Sequence, residues 1–193
     1  MFNPLIMLGK FVTTLDGIDN EAINKAVLEN KNNKLDKDSK ETHSEDSILP
    51  DTKECAKLIN EVNRVIQKEV NQYFKTTVKW AHILEPKEST MYHTHDTLGG
   101  PVGISWVYYS KTKPNCGNIV WCFDVCKKRV MVEHEPKEGQ LVLFPDFVPH
   151  FTKKNNSGDI RISISGNSLP AQEDFGKVLQ TPHNIYSFIG ICY

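Results

Sequence analysis

Two histidines one residue apart, His93-Thr94-His95, precede Phe144-Pro-Asp-Phe-Val-Pro-His150 and then Arg161-Ile-Ser163-Ile-Ser165. Neutral imidazoles suit Fe, Zn, Ni or Cu, and donors gathered on one side of an ion leave open positions for substrate or O2. Residues two apart on a strand point to one face, so His93 and His95 can reach a common centre. Pro149 fixes the approach of His150. Arg161 and Ser163 share a face in the same way. A guanidinium is permanently charged, and its planar fork matches a carboxylate through two hydrogen bonds. Together these residues read as a metal held inside a β-barrel, with a cationic anchor for an acidic cosubstrate.

Blander readings compete with each piece. An isolated histidine pair is common on surfaces, and most arginines make surface ion pairs. In Ile160-Arg-Ile-Ser-Ile-Ser165 the isoleucines occupy the opposite face, which favours an inward Arg161. Asp96 points away from the centre unless the strand has already ended; it is the alternative to His95. His82, in Lys79-Trp-Ala-His-Ile, either lines the pocket or satisfies a backbone group in the core, with the core reading slightly favoured. Trp106, Trp121, Phe123, Phe144 and Phe151 can supply a dry surround, although most such aromatics are plain core. Trp106 and Trp121 are the pocket candidates among them.

These residues must be carried on strands supported by helices. Asp19-Asn20 caps a short helix with Ile23, Ala26 and Val27 on one face. Residues 29–47 turn to Asn, Lys, Asp, Ser and Glu, a composition that reads as a flexible insertion. Asp51 and Glu54 form a capping box for a second helix, whose apolar stripe from Leu58 runs to about Phe74. From Thr76 the period becomes strand-like, over 78–84, 103–110, 119–124, 130–133, 140–144, 150–152 and 160–165. Gly- and Pro-bearing turns separate these runs. The expectation is one structural domain of α+β class: helical support over 1–75, a mainly β jelly-roll core over 76–168, and a C-terminal extension over 169–193 with an apolar run at 185–191.

With 193 residues the chain can bury a sizeable core. Lys plus Arg is 23 against 24 Asp plus Glu, which argues against a nucleic-acid or membrane surface. The five cysteines have no zinc-module spacing and read as small buried thiols of an intracellular, cytoplasmic protein. No apolar run reaches about 18 residues, and the N-terminus lacks the basic lead-in and small-residue cleavage site of a signal peptide.

From roughly Val78 to Ser168 the chain resembles the Fe(II)- and 2-oxoglutarate-dependent oxygenases, in particular a small branch found in bacteria and phages. The matching pieces are His93-Thr-His95, Ile104-Ser-Trp-Val-Tyr-Tyr109, Gly139-Gln-Leu-Val-Leu-Phe-Pro145, Val148-Pro-His150 and Arg161-Ile-Ser-Ile-Ser-Gly-Asn167. The resemblance implies a double-stranded β-helix with Fe(II) held at His93, His95 and His150. It places the distal carboxylate of 2-oxoglutarate on Arg161, Ser163 and Tyr109. It further implies hydroxylation of a small-molecule or peptidyl substrate with O2, releasing succinate and CO2, in a cytoplasm that includes that of an infected host cell. One departure matters: most of the superfamily has a carboxylate where this chain has His95. Three neutral ligands also suit a cupin-like metal enzyme or sensor that does not use 2-oxoglutarate.

Overall fold

The computed structural model describes residues 11–33, 46–95, 102–125 and 127–171. Ten strands among these described residues form two antiparallel sheets. Strands β1 (Phe11–Thr14), β2 (Asp46–Ile48), β3 (Phe74–Leu84), β5 (Ile104–Lys111), β8 (Gln140–Pro145) and β10 (Arg161–Pro170) make a six-stranded sheet in the order β1-β8-β5-β10-β3-β2. Strands β4 (Thr90–His93), β6 (Ile119–Val125), β7 (Lys128–His134) and β9 (His150–Thr152) make a four-stranded sheet in the order β4-β9-β6-β7. The chain crosses repeatedly between the two, as a double-stranded β-helix requires.

Helices α1 (Asn20–Glu29) and α2 (Lys53–Val70) cover the outer face of the larger sheet. Asp19 caps α1 by accepting from the Ala22 backbone N–H at 3.0 Å. The cap of α2 is Thr52, one residue later than expected: its hydroxyl accepts from the Cys55 N–H. The same helix ends at Val70 rather than near Phe74, because Asn71 takes the left-handed conformation (φ 53°) that closes a helix. Phe74 instead opens β3 and is buried there. Leu58, Val62, Val65 and Ile66 of α2 share one hydrophobic core with Ala81, Ile83, Ile162 and Ile164 of β3 and β10.

Two other boundaries shift. Glu29 belongs to α1, residues 31–33 form a turn, and Asp46–Ile48 pair with Trp80–His82, so both ends of the expected insertion are ordered. Residues 34–45 lie outside the described residues. Strand β10 runs to Pro170, past the expected edge of the core at 168. The apolar run at 185–191 is also outside the described residues. Cys55, Cys116 and Cys122 are buried free thiols. Among the described residues, no helix is long and apolar enough to cross a membrane.

Candidate metal centre and acid-binding cavity

Period-two alternation decides what the larger sheet presents inward. On β10 the isoleucines face the helices, while Arg161, Ser163, Ser165 and Asn167 face the smaller sheet. Register then builds transverse rows. Ser163 lies opposite His82 on β3 and Tyr109 on β5, and Asp46 on β2 lies opposite His82. The next row sets Ser165 between Trp80 and Val107, and the one after sets Asn167 between Val78 and Ser105. With the three histidines, these residues line one cavity of about 580 Å³.

The histidines come from the opposite wall. His93 and His150 face each other across β4 and β9, and Trp121 lies opposite His150 on β6. Strand β4 stops at His93, so His95 follows in the next segment; its backbone N–H donates to Asp146 O at 2.9 Å. That contact turns the chain so that His95 still meets the other two. One ligand nitrogen from each ring lies within 4.8 Å of the others. The rings sit 4.3–5.1 Å apart by centroid. Asp96, the alternative ligand, lies outside the described residues.

Tautomers follow from the hydrogen bonds. His93 Nδ1 donates to Met91 O at 2.8 Å, and His150 Nδ1 donates to Val148 O at 2.9 Å. A carbonyl can only accept, so in each neutral ring Nδ1 carries the proton and Nε2 becomes the lone-pair donor. Both rings use a carbonyl two residues back in the chain, Met91 within β4 and Val148 in the bend before β9. Trp80 flanks His95 at 5.3 Å, and Phe144 meets His150 edge-on at 4.8 Å, giving the donors an aromatic surround.

Arg161 closes the inner end of the cavity, only 3 % exposed. Its Nη1 donates to Gly117 O at 2.8 Å, and its guanidinium carbon lies 5.7 Å from the Tyr109 ring centroid. Gly117 (φ 93°) is irreplaceable here: a Cβ would come within 2.4 Å of Lys153 O. No described carboxylate pairs with Arg161, and among the described residues its Nε has no hydrogen-bond partner. Burial pushes the Arg161 pKa down, and burial raises the Tyr109 phenol to about 12, so Tyr109 is a neutral hydroxyl at any physiological pH. A buried cation with an orphaned N–H is costly unless an anion arrives to meet it.

His82 does line the cavity, against the slightly favoured core reading. Its Nδ1 sits 2.6 Å from Asp46 Oδ1, both side chains buried. The two tryptophans fare differently. Trp106 packs in the core under the helices, over Gly166, and borders the cavity only from that side. Trp121 belongs to the core between the sheets with Phe144 and Val148, outside the cavity lining. Sequence reasoning missed Asp46, Trp80, Gly117 and Asp146. Of these, Asp146 carried a signal, since it sits inside the Phe144–His150 motif; there its carboxylate accepts from Gly103 N–H at 2.8 Å while its carbonyl holds His95.

No protein-family model matches the chain, and no curated protein matches it by sequence. Solved structures do match in fold. A Pseudomonas putida prolyl-4-hydroxylase aligns with a TM-score of 0.63 at 17 % identity, over 84 % of this chain and 92 % of its own. HygX from Streptomyces hygroscopicus, with nickel and 2-oxoglutarate bound, aligns at 0.65 and 10 % identity, over 89 % and 88 %. SnoK, a non-heme alpha-ketoglutarate-dependent carbocyclase from nogalamycin biosynthesis, aligns at 0.61 and 12 % identity, over 90 % and 87 %. The chain has the double-stranded β-helix fold of these oxygenase structures.

Proposed function

We propose that the protein is an Fe(II)- and 2-oxoglutarate-dependent oxygenase that hydroxylates a C–H bond, releasing succinate and CO2. The observation that carries this reading is the pairing, in one cavity, of three converging imidazoles with a buried guanidinium that no described acid neutralises. His93, His95 and His150 would hold the ion, and Arg161 with Ser163 and Tyr109 would hold the far carboxylate of the cosubstrate. The bound iron and cosubstrate together supply the oxidising equivalent drawn from O2.

The residues fit that group electrostatically. Three neutral donors leave the full charge of a divalent ion in the cavity, and Arg161 adds another positive charge. Asp46 is the one acidic side chain in the described lining, and it is engaged by His82. Such a cavity favours a dianion with carboxylates at both ends, which 2-oxoglutarate is. Ser163 and Tyr109 bring hydroxyls to the Arg161 end, and burial there strengthens every hydrogen bond to a carboxylate. Each Nδ1 keeps its proton and donates it to a backbone carbonyl, holding His93 and His150 in the ligating tautomer.

The test is anaerobic addition of Fe(II) and 2-oxoglutarate, which should give a weak visible charge-transfer band. In Arg161→Ala the band should disappear at modest cosubstrate concentration while metal binding persists. Tight metal binding with no band and no cosubstrate affinity in the unmodified protein would select a cupin-like metal enzyme or sensor instead.

A further inference from the structure

We propose that Asn167, oriented by Ser105, is a specificity-determining residue for the primary substrate, and that this substrate presents a neutral hydrogen-bond acceptor such as an amide carbonyl beside an apolar group. The assignment of the Arg161 end to the cosubstrate is borrowed from the proposed function; the rest stands on the outer end of the cavity.

Along β10 the inward residues change in chemistry from a cation to two hydroxyls to an amide: Arg161, Ser163, Ser165, Asn167. Six strand residues span about 20 Å, whereas a five-carbon diacid anchored at Arg161 reaches only about 6 Å. Asn167 therefore lies beyond the cosubstrate. It is half-buried, while Arg161 and Ser163 are buried, so it faces the entrance.

The amide is oriented. Ser105 lies directly opposite on β5, and its hydroxyl donates to Asn167 Oδ1 at 2.9 Å. The Thr77 hydroxyl donates to Asn167 O at 3.2 Å, holding the backbone. With Oδ1 accepting, both N–H donors lie on Nδ2, and no described residue accepts from them. Beside them the lining is apolar: Val78 lies opposite in register, Trp80 one row inward, and Met91 and Tyr92 on the facing wall are largely exposed. A fixed donor on an apolar rim selects a neutral carbonyl over a polyanion: among the described lining residues this end carries no Lys or Arg, and Arg129, 5.9 Å from the Tyr92 ring, is paired with Asp124.

The test uses the full chain loaded with Zn(II) and 2-oxoglutarate, titrated with N-acetyl-leucine N-methylamide and followed by NMR of the Trp80 indole. The unmodified protein should bind this probe, and Asn167→Ala and Asn167→Asp should each weaken it at least about threefold. The aspartate variant retains the oxygen that Ser105 meets but lacks the amide donors. Affinity for 2-oxoglutarate should stay within about twofold in both variants. No probe binding by the unmodified protein, a loss below threefold in either variant, or a larger loss of 2-oxoglutarate affinity overturns the proposal. If the unmodified protein binds no 2-oxoglutarate, the proposed function fails by itself, and the same titration with Zn(II) alone still reads Asn167.

Discussion

The two walls of the cavity are built differently. Arg161, Ser163 and Tyr109 stand on the middle strands of the six-stranded sheet, which the helices back, and all three are 3 % exposed or less. The histidines stand on an edge strand, a three-residue strand and the segment after β4, with His93 and His95 half-buried. The wall proposed to bind the acid thus takes its geometry from register, which cannot drift without unpairing the sheet. The histidine wall relies less on register: His93 and His150 are paired across β4 and β9, but their rings are aimed by two Nδ1–carbonyl bonds, and His95 is held by the Asp146 carbonyl. A dry, rigid wall suits charge recognition; an adjustable wall suits an ion that draws its donors in as it binds.

That contrast can be broken at either wall. The largest effect is expected at a ligand: His150→Ala should lower Mn(II) or Fe(II) affinity by on the order of 100-fold or more, measured by calorimetry, with the fold retained. Next, Arg161→Ala should cost 2-oxoglutarate about 2–4 kcal/mol of binding, roughly 30- to 1000-fold, with metal affinity nearly unchanged. If removing the arginine also abolished metal binding, the two walls would not be separable.

Gly117→Ala tests the rigidity of the inner wall. Its positive φ and the 2.4 Å approach of Lys153 O predict a destabilisation of about 2 kcal/mol, a Tm decrease of roughly 4–8 °C, and weaker 2-oxoglutarate binding in the protein that remains folded. Asp146→Ala tests the adjustable wall. The variant keeps the backbone carbonyl that holds His95 but removes the carboxylate that anchors this segment on the Gly103 N–H, and the looser His95 should reduce metal affinity up to about tenfold while leaving cosubstrate affinity per metal-loaded molecule alone.

The smallest effect concerns alkaline pH. Tyr109 is raised to about 12, mainly by burial, and Tyr108 to about 12 for the same reason. A folded pKa above the unfolded value near 10 means the proton is held more tightly in the native state. The associated stability is fully present below pH 10 and is lost as pH rises toward 12. Phenolate absorbance should show these two tyrosines ionising only with unfolding.

Much of the site was legible before any fold was known. Arg161 and Ser163 could be placed on an inward face because the intervening isoleucines demand the other side. Pro149-His150 and the His93/His95 pair could be read as donors. His95 is legible only in part: strand alternation does not deliver it, since β4 ends at His93, and the Asp146 carbonyl does. The second helix was legible from its stripe, but its end was not, because Asn71 stops it by a backbone conformation that periodicity does not register. Asp46 was read as part of a flexible insertion, since its neighbours are polar and nothing local marks it as buried.

By itself the sequence determined the donor chemistry, the alternation that sorts Arg161 and Ser163 from the isoleucines, and the apolar stripe that seats α2 on the sheet. These are local properties, governed by residue type and by periods of two and 3.6. Only the tertiary structure decided that Asp46 meets His82 across 36 residues, that Gly117 offers its carbonyl to Arg161 across 44, and that Ser105 turns Asn167 toward the entrance across 62. Those meetings depend on strand order and register, which are set by which hydrophobic faces pack together over the whole chain.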